Sequence, residues 1–64
     1  MRTMCKILLS DLYDREIAET KGNIENYNVW IRGTKDEDVR VSFMRTASDL
    51  EAYIEVLREL RNGL

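Results

Sequence analysis

The side chains that could carry out chemistry in this chain of 64 residues are few. Histidine is absent, which excludes the usual general base and the Ser-His and Cys-His pairs. Cys5 is the single cysteine and lies among the apolar residues of "CKILL", where we expect a buried, inert thiol. One thiol without an imidazole cannot form a tetrahedral zinc site. The sequence therefore predicts a protein that is not an enzyme, with no catalytic residue, no metal site and no cofactor.

Carboxylates are abundant, but their spacing does not indicate a cation site. The acidic residues of "DLYDREIAE" would project from a helix into water. The run Asp36, Glu37, Asp38 lacks the 12-residue ligand spacing and the central glycine of an EF-hand. We expect this run to form a solvated tip between two strands.

Trp30 is the strongest candidate for a binding group. On a strand over residues 26–32 it would alternate with apolar side chains and emerge on the opposite, polar face. The same face of a hairpin would present Arg32, Arg40 and Met44. Tryptophan, arginine and methionine are enriched at the centres of protein interfaces. We predict that these four residues bind a partner, with the indole as the apolar anchor and the arginines as the polar rim.

Two alternating segments, 26–32 and 39–44, predict a β-hairpin around the loop "GTKDE". The register that avoids opposing like charges sets Ile31 against Val39. It also sets Trp30 against Arg40, whose guanidinium could cover the indole. If the guanidinium covers the indole in this way, Trp30 is shielded on its own sheet and binds no partner, which is the alternative to a binding role.

The C-terminal segment predicts an amphipathic helix. Ser48 and Glu51 have the spacing of a capping box, and Asn62-Gly63 provides a stop. Apolar residues recur at helical spacing, at Leu50, Tyr53, Ile54, Leu57, Leu60 and Leu64. Val56 widens this stripe, so we expect the helix to contact two surfaces.

The first third of the chain leaves two alternatives open. "CKILL" predicts a strand, and residues 10–22 favour a short helix capped by Ser10 and ended by Gly22. The elements would then follow in the order β-α-β-β-α. The alternative is a four-stranded meander followed by the helix. Either way we predict one α+β domain over residues 1–64, a small antiparallel sheet with the C-terminal helix packed on one face.

A chain this short has a small core and usually needs a disulfide, a metal or a partner chain to be stable. Because one cysteine cannot make an internal bridge, we expect a homodimer. No segment reaches the roughly 20 apolar residues of a membrane span, which predicts a soluble protein without membrane contact. A single free thiol fits the reducing cytoplasm.

These features together predict a small protein-interaction or regulatory module that acts as a homodimer. Its sheet face or its widened helix surface would dock on another protein. The alternative is binding of single-stranded nucleic acid by the same face, with Trp30 stacking on a base. The arginines of "VRVSFMRT" favour this alternative, whereas a net charge of −2 provides no general attraction for phosphate.

Overall fold

The computed structural model describes residues 3–64, which form two long helices joined by a short loop. Helix α1 spans Thr3–Gly33 and helix α2 spans Glu37–Asn62. The helices pack side by side along their lengths as an antiparallel hairpin. The backbone extends 51 Å along the hairpin and only 15 Å and 10 Å across it. In the part of the chain that the structure describes, neither helix has an apolar stretch long enough to cross a membrane.

The α+β prediction is wrong, as is its meander alternative, because residues 3–64 contain no strand. Residues 26–32 form the end of α1, and residues 39–44 form the start of α2. The segment "CKILL" is helical, and α1 continues through Gly22. Alternation over six or seven residues is too short to exclude a helix, and the chain contains no proline to interrupt one.

The core is a seam between the two helices that repeats every seven residues. Buried and half-buried positions alternate by three and four residues along each helix, which is the a/d repeat of a coiled coil. The seam positions that follow this repeat are Tyr13, Ile17, Thr20, Ile24, Tyr27 and Ile31 in α1, and Arg40, Phe43, Ala47, Leu50, Ile54 and Leu57 in α2. This spacing keeps one narrow face of each helix against the other.

The centre of the seam is a small apolar cluster. Ile17 and Ile24 of α1 pack with Ile54 and Leu57 of α2, and partly buried neighbours at Tyr13 and Leu50 extend the cluster. Thr20 is the most buried residue, and its hydroxyl donates to the carbonyl of Glu16 at 2.8 Å. That bond satisfies the hydroxyl within its own helix.

The loop predicted between two strands instead joins two helices. Asp36 caps α2, since its carboxylate accepts from the backbone N–H groups of Asp38 at 2.9 Å and Val39 at 3.2 Å. The prediction that the helix begins at Ser48 is therefore wrong, and Ser48 and Glu51 are exposed within α2. α2 ends at Asn62 as predicted, although Gly63 has a φ of −75° and not a left-handed conformation.

Replacing Ile54 by alanine should strongly destabilise the hairpin. Ile54 is 6% exposed at the centre of the seam, and truncation of such a side chain costs about 2–5 kcal/mol. Urea unfolding followed by helical circular dichroism measures the change. The matched control is Val41→Ala, because Val41 lies on the same helix and is 41% exposed. Equal losses in the two variants would contradict the position of the seam.

Removing the cap of α2 should also lower the free energy of unfolding. Asp36→Ala leaves two backbone N–H groups without their carboxylate acceptor, which costs about 1 kcal/mol. Asp36→Asn is the control, since an amide oxygen caps a helix about as well as a carboxylate. Chemical unfolding of both variants tests the assignment, and an asparagine variant as weak as the alanine variant would count against capping.

Candidate functional site

The two long edges of the hairpin differ sharply in charge. One edge, which we call the aromatic edge, contains Trp30 of α1 and Tyr53 of α2. The Tyr53 hydroxyl contacts Glu16 across the seam, so these two residues lie on the same edge. Trp30 follows Glu16 by two seven-residue repeats and therefore lies on that edge as well. The aromatic edge is made of Leu9, Leu12, Glu16, Glu19, Asn23, Asn26, Trp30, Gly33, Val39, Ser42, Thr46, Asp49, Tyr53, Val56 and Leu60.

The opposite edge, which we call the charged edge, carries eight charged residues beside four exposed apolar ones, Met4, Ile7, Val41 and Met44. Its charged residues carry both signs and are Asp11, Asp14, Lys21, Glu25, Arg32, Glu51, Glu55 and Arg58. The aromatic edge contains three acids, at Glu16, Glu19 and Asp49, and no basic residue. Depletion of charge together with exposed aromatic rings is the compositional signature of a protein interface.

An aromatic cluster forms the end of the aromatic edge nearest the loop. The Trp30 ring lies 5.1 Å from the Tyr27 ring in an edge-to-face arrangement and 5.8 Å from the Phe43 ring. These separations are those of favourable aromatic pairs. The cluster fixes the indole, yet Trp30 remains 49% exposed. A fixed aromatic side chain gives up little conformational entropy when a partner covers it.

A shallow apolar depression lies beside the indole. Val29, Gly33 and Thr34 line it from α1 and the loop, and Val39 and Phe43 line it from α2. Val29 and Val39 are both largely exposed. The depression offers apolar contact with little hydrogen-bonding capacity, so it suits an aliphatic or aromatic side chain of another protein.

The far end of the aromatic edge is also apolar. Tyr53, Val56 and Leu60 recur at helical spacing on α2 and are each about half exposed. Leu12 of α1 is more than half exposed on the same edge. The edge thus has an apolar section at each end and a polar section between them.

Tyr53 makes the one side-chain hydrogen bond to α1 seen along the described part of this edge. Its hydroxyl donates to the Glu16 carboxylate at 3.3 Å. Partial loss of solvent raises the pKa of the Tyr53 phenol above its ordinary value of 10.0, and the charge of Glu16 and the hydrogen bond to it raise the pKa further. The pair links the two helices through one of the three acids of the edge.

The four predicted partner-binding residues do not share one surface. Trp30 lies on the aromatic edge, whereas Arg32 and Met44 lie at positions on the charged edge. Arg40 is half-buried in the seam, where its guanidinium donates to the Thr34 carbonyl at 3.5 Å and pairs with Glu37 at 3.7 Å. The predicted stacking of Arg40 on the indole is replaced by contacts of Trp30 with two aromatic rings.

The residues that sequence reasoning missed are those at the loop end of the aromatic edge. Val29, Val39 and Phe43 were assigned to the buried face of a sheet, and they become neighbours of Trp30 only when the chain turns between two helices. Tyr53, Val56 and Leu60 did belong to the predicted broad stripe. Cys5 is exposed on α1, which contradicts its predicted burial.

Comparisons with protein-family models, curated proteins and solved structures found no match. Among residues 3–64, no group of three or more potential metal-ligating side chains converges. The aromatic edge is therefore the feature of the described chain from which a function can be argued.

Replacing Glu16 by glutamine should lower the pKa of Tyr53. The change removes the negative charge that disfavours the phenolate, while the partial loss of solvent remains, so the pKa should fall without reaching 10.0. Because the folded-state pKa is raised, the contribution of this pair to stability is complete below pH 10 and is lost as pH rises through the folded-state pKa. Carbon NMR of the Tyr53 ring measures the titration, and Glu19→Gln is the matched control. An unchanged pKa in the Glu16 variant would argue against the contact.

Proposed function

We propose that this chain is a small, non-enzymatic protein-interaction module that regulates or assembles with its partners through the aromatic edge and acts as a homodimer. The observation that supports the proposal most directly is the contrast between the two edges. The aromatic edge exposes Trp30, Tyr53 and Leu60 and has no basic residue, whereas the charged edge presents both signs of charge.

The physical argument is the cost of leaving the aromatic edge in water. Burial of apolar surface is worth about 25 cal/mol per Å², and the exposed side chains at both ends of this edge are large. Scattered exposed apolar residues are ordinary on a protein surface, but two clusters on one edge indicate an interaction site. A helix surface with apolar residues at this spacing is also a common form of protein recognition.

Nucleic-acid binding has less support than protein binding. The sequence-based alternative required a sheet that presents Trp30 together with arginines, and the described chain contains no sheet. Arg32 lies across the hairpin from Trp30, and Arg40 is engaged with Thr34 and Glu37. The indole is surrounded by aromatic and aliphatic side chains, which cannot neutralise phosphate.

We place the module in the cytoplasm as part of the same proposal. Cys5 is an exposed, unpaired thiol, and such thiols persist in reducing compartments. An exposed thiol in an oxidising compartment would form mixed or intermolecular disulfides.

Site-specific photo-crosslinking tests the interaction edge. A benzophenone amino acid at position 39 lies on the aromatic edge, and the same amino acid at position 41 lies on the charged edge. The two valines are matched, because they occupy the same helix and are 40% and 41% exposed. Irradiation of cells that express each variant should give protein adducts from position 39 in at least about tenfold greater yield than from position 41, since only the first is covered by a partner.

Trp30→Ala in the position-39 variant should reduce the adduct yield, because the indole supplies much of the apolar contact. Protein adducts at equal yield from both positions, or none from position 39, would contradict the proposal. Adducts with nucleic acid in place of protein would favour the alternative function.

A further inference from the structure

We propose that the partner of the aromatic edge is the same edge of a second copy turned end for end, so that two hairpins form an antiparallel four-helix bundle. This inference rests on the proposed function and specifies the partner and its orientation.

The surface area of the hairpin is large for its mass. It exposes 5138 Å², whereas a compact monomer of this mass exposes about 4,300 Å². Two hairpins that joined into a particle with the ordinary surface of a protein of twice the mass would bury about 3,000 Å² in total. Obligate homodimers bury about 2,000–5,000 Å², so a second copy would cover an area sufficient for a stable complex.

The order of residues along the aromatic edge is suited to self-pairing. A two-fold axis requires one surface to complement itself, with each residue facing the symmetric counterpart of its contact. The edge is apolar near Trp30, polar in its middle and apolar again near Leu60. Turning a second copy end for end therefore brings apolar sections against apolar sections and the polar middle against the polar middle.

Contacts across the seam define the middle of the hairpin. The hydrogen bonds Tyr53–Glu16 and Arg61–Asp14, together with the packing of Tyr27 on Phe43, set α1 and α2 in an approximate register. The midpoint of the paired length falls near Lys21 on α1. A two-fold axis at this height places α1 against α1 and α2 against α2 of the other copy.

In this orientation the two acids that α1 contributes to the edge each come level with a side-chain amide. Glu16 comes level with Asn26 of the second copy, and Glu19 comes level with Asn23, so side-chain amides can donate to both carboxylates. The indole of Trp30 comes level with Leu12, an apolar contact at each end of the bundle.

The opposite orientation, with both loops at one end, pairs the edge less well. α1 then lies against α2 of the second copy, and Glu16 comes level with Val56. A carboxylate covered by an aliphatic side chain loses solvent without gaining a donor. The two carboxylates of α1 therefore come level with amides only in the end-for-end arrangement.

Sedimentation equilibrium of the whole chain tests the dimer. The wild type should have a mass of about twice 7.6 kDa at micromolar concentration, as obligate homodimers do. Leu60→Glu should raise the dissociation constant at least tenfold, because it buries a charge in the interface. The matched control is Met44→Glu, since Met44 is 53% exposed on the charged edge and Leu60 is 50% exposed on the aromatic edge.

Circular dichroism of both variants verifies that the helices remain formed. A wild type that is monomeric at micromolar concentration would overturn the inference, as would equal weakening by the two substitutions. If position 39 nevertheless gives adducts with a different protein, the proposed interaction module stands and only the identity of its partner changes. If position 39 gives no protein adduct and the chain is monomeric, both proposals fail.

Pulsed electron spin resonance determines the orientation. Spin labels at Lys35→Cys, in a chain that also carries Cys5→Ser, lie in the loop about 20 Å along the helix axis from the midpoint. The end-for-end dimer should give a label separation of about 40 Å. A separation below about 25 Å would place both loops at one end and overturn the proposed arrangement.

Discussion

The packing of Ile17 and Ile24 on Ile54 and Leu57 is the interaction on which the hairpin depends. These four side chains are the centre of the seam, and all are at most 9% exposed. Helices within proteins are stabilised chiefly by packing of an apolar face, because local helix propensity alone gives marginal stability in water. The seam therefore holds both helices in place and determines which residues reach each edge.

A two-helix hairpin can bury only one narrow face of each helix. The rest of every turn faces outward, and the identity of the outward residues decides whether the hairpin remains alone in water. The charged edge meets this condition in part, because its acids and bases of both signs favour solvation and surround the exposed apolar side chains of Ile7 and Met44. The aromatic edge does not, since Leu12, Val56 and Leu60 are large, apolar and at least half exposed. The asymmetry supports the proposal that one edge is a contact surface and that the other is the outer surface of the assembly.

The sequence was sufficient to find the second half of α2 but not the fold. Leu50, Ile54 and Leu57 were recognised at helical spacing, and the turn near Thr34 was placed correctly between two regular elements. The strand prediction was wrong at positions where the two-residue period of a strand coincides with the seven-residue repeat of a packed helix. Tyr27 and Ile31 are four residues apart, which satisfies both a strand that alternates and a helix with a seven-residue repeat.

Longer-range spacing contains the information that the short windows lacked. Tyr13, Thr20 and Tyr27 are separated by seven residues, and Ile17, Ile24 and Ile31 repeat the pattern four residues later. A strand has no reason to maintain that repeat through Gly22, whereas a helix packed against a neighbour does. The candidate site was only partly predictable for a related reason. Trp30 could be identified from its residue type, but its neighbours Val39 and Phe43 belong to the other helix and depend on the turn.

Trp30 contributes to both the hairpin and the aromatic edge, and this double role limits what its replacement alone can show. Its ring packs on Tyr27 and Phe43, so its removal loosens the loop end of the seam as well as the exposed surface. Leu60 lies at the opposite end of the edge and is exposed, so it is not a member of the central cluster. A loss of binding from a change at Leu60 can be attributed to the surface, because the packing of Ile54 and Leu57 beneath it is retained. Leu60 therefore reports on the contact surface of the edge alone, whereas the indole reports on the surface and the hairpin together.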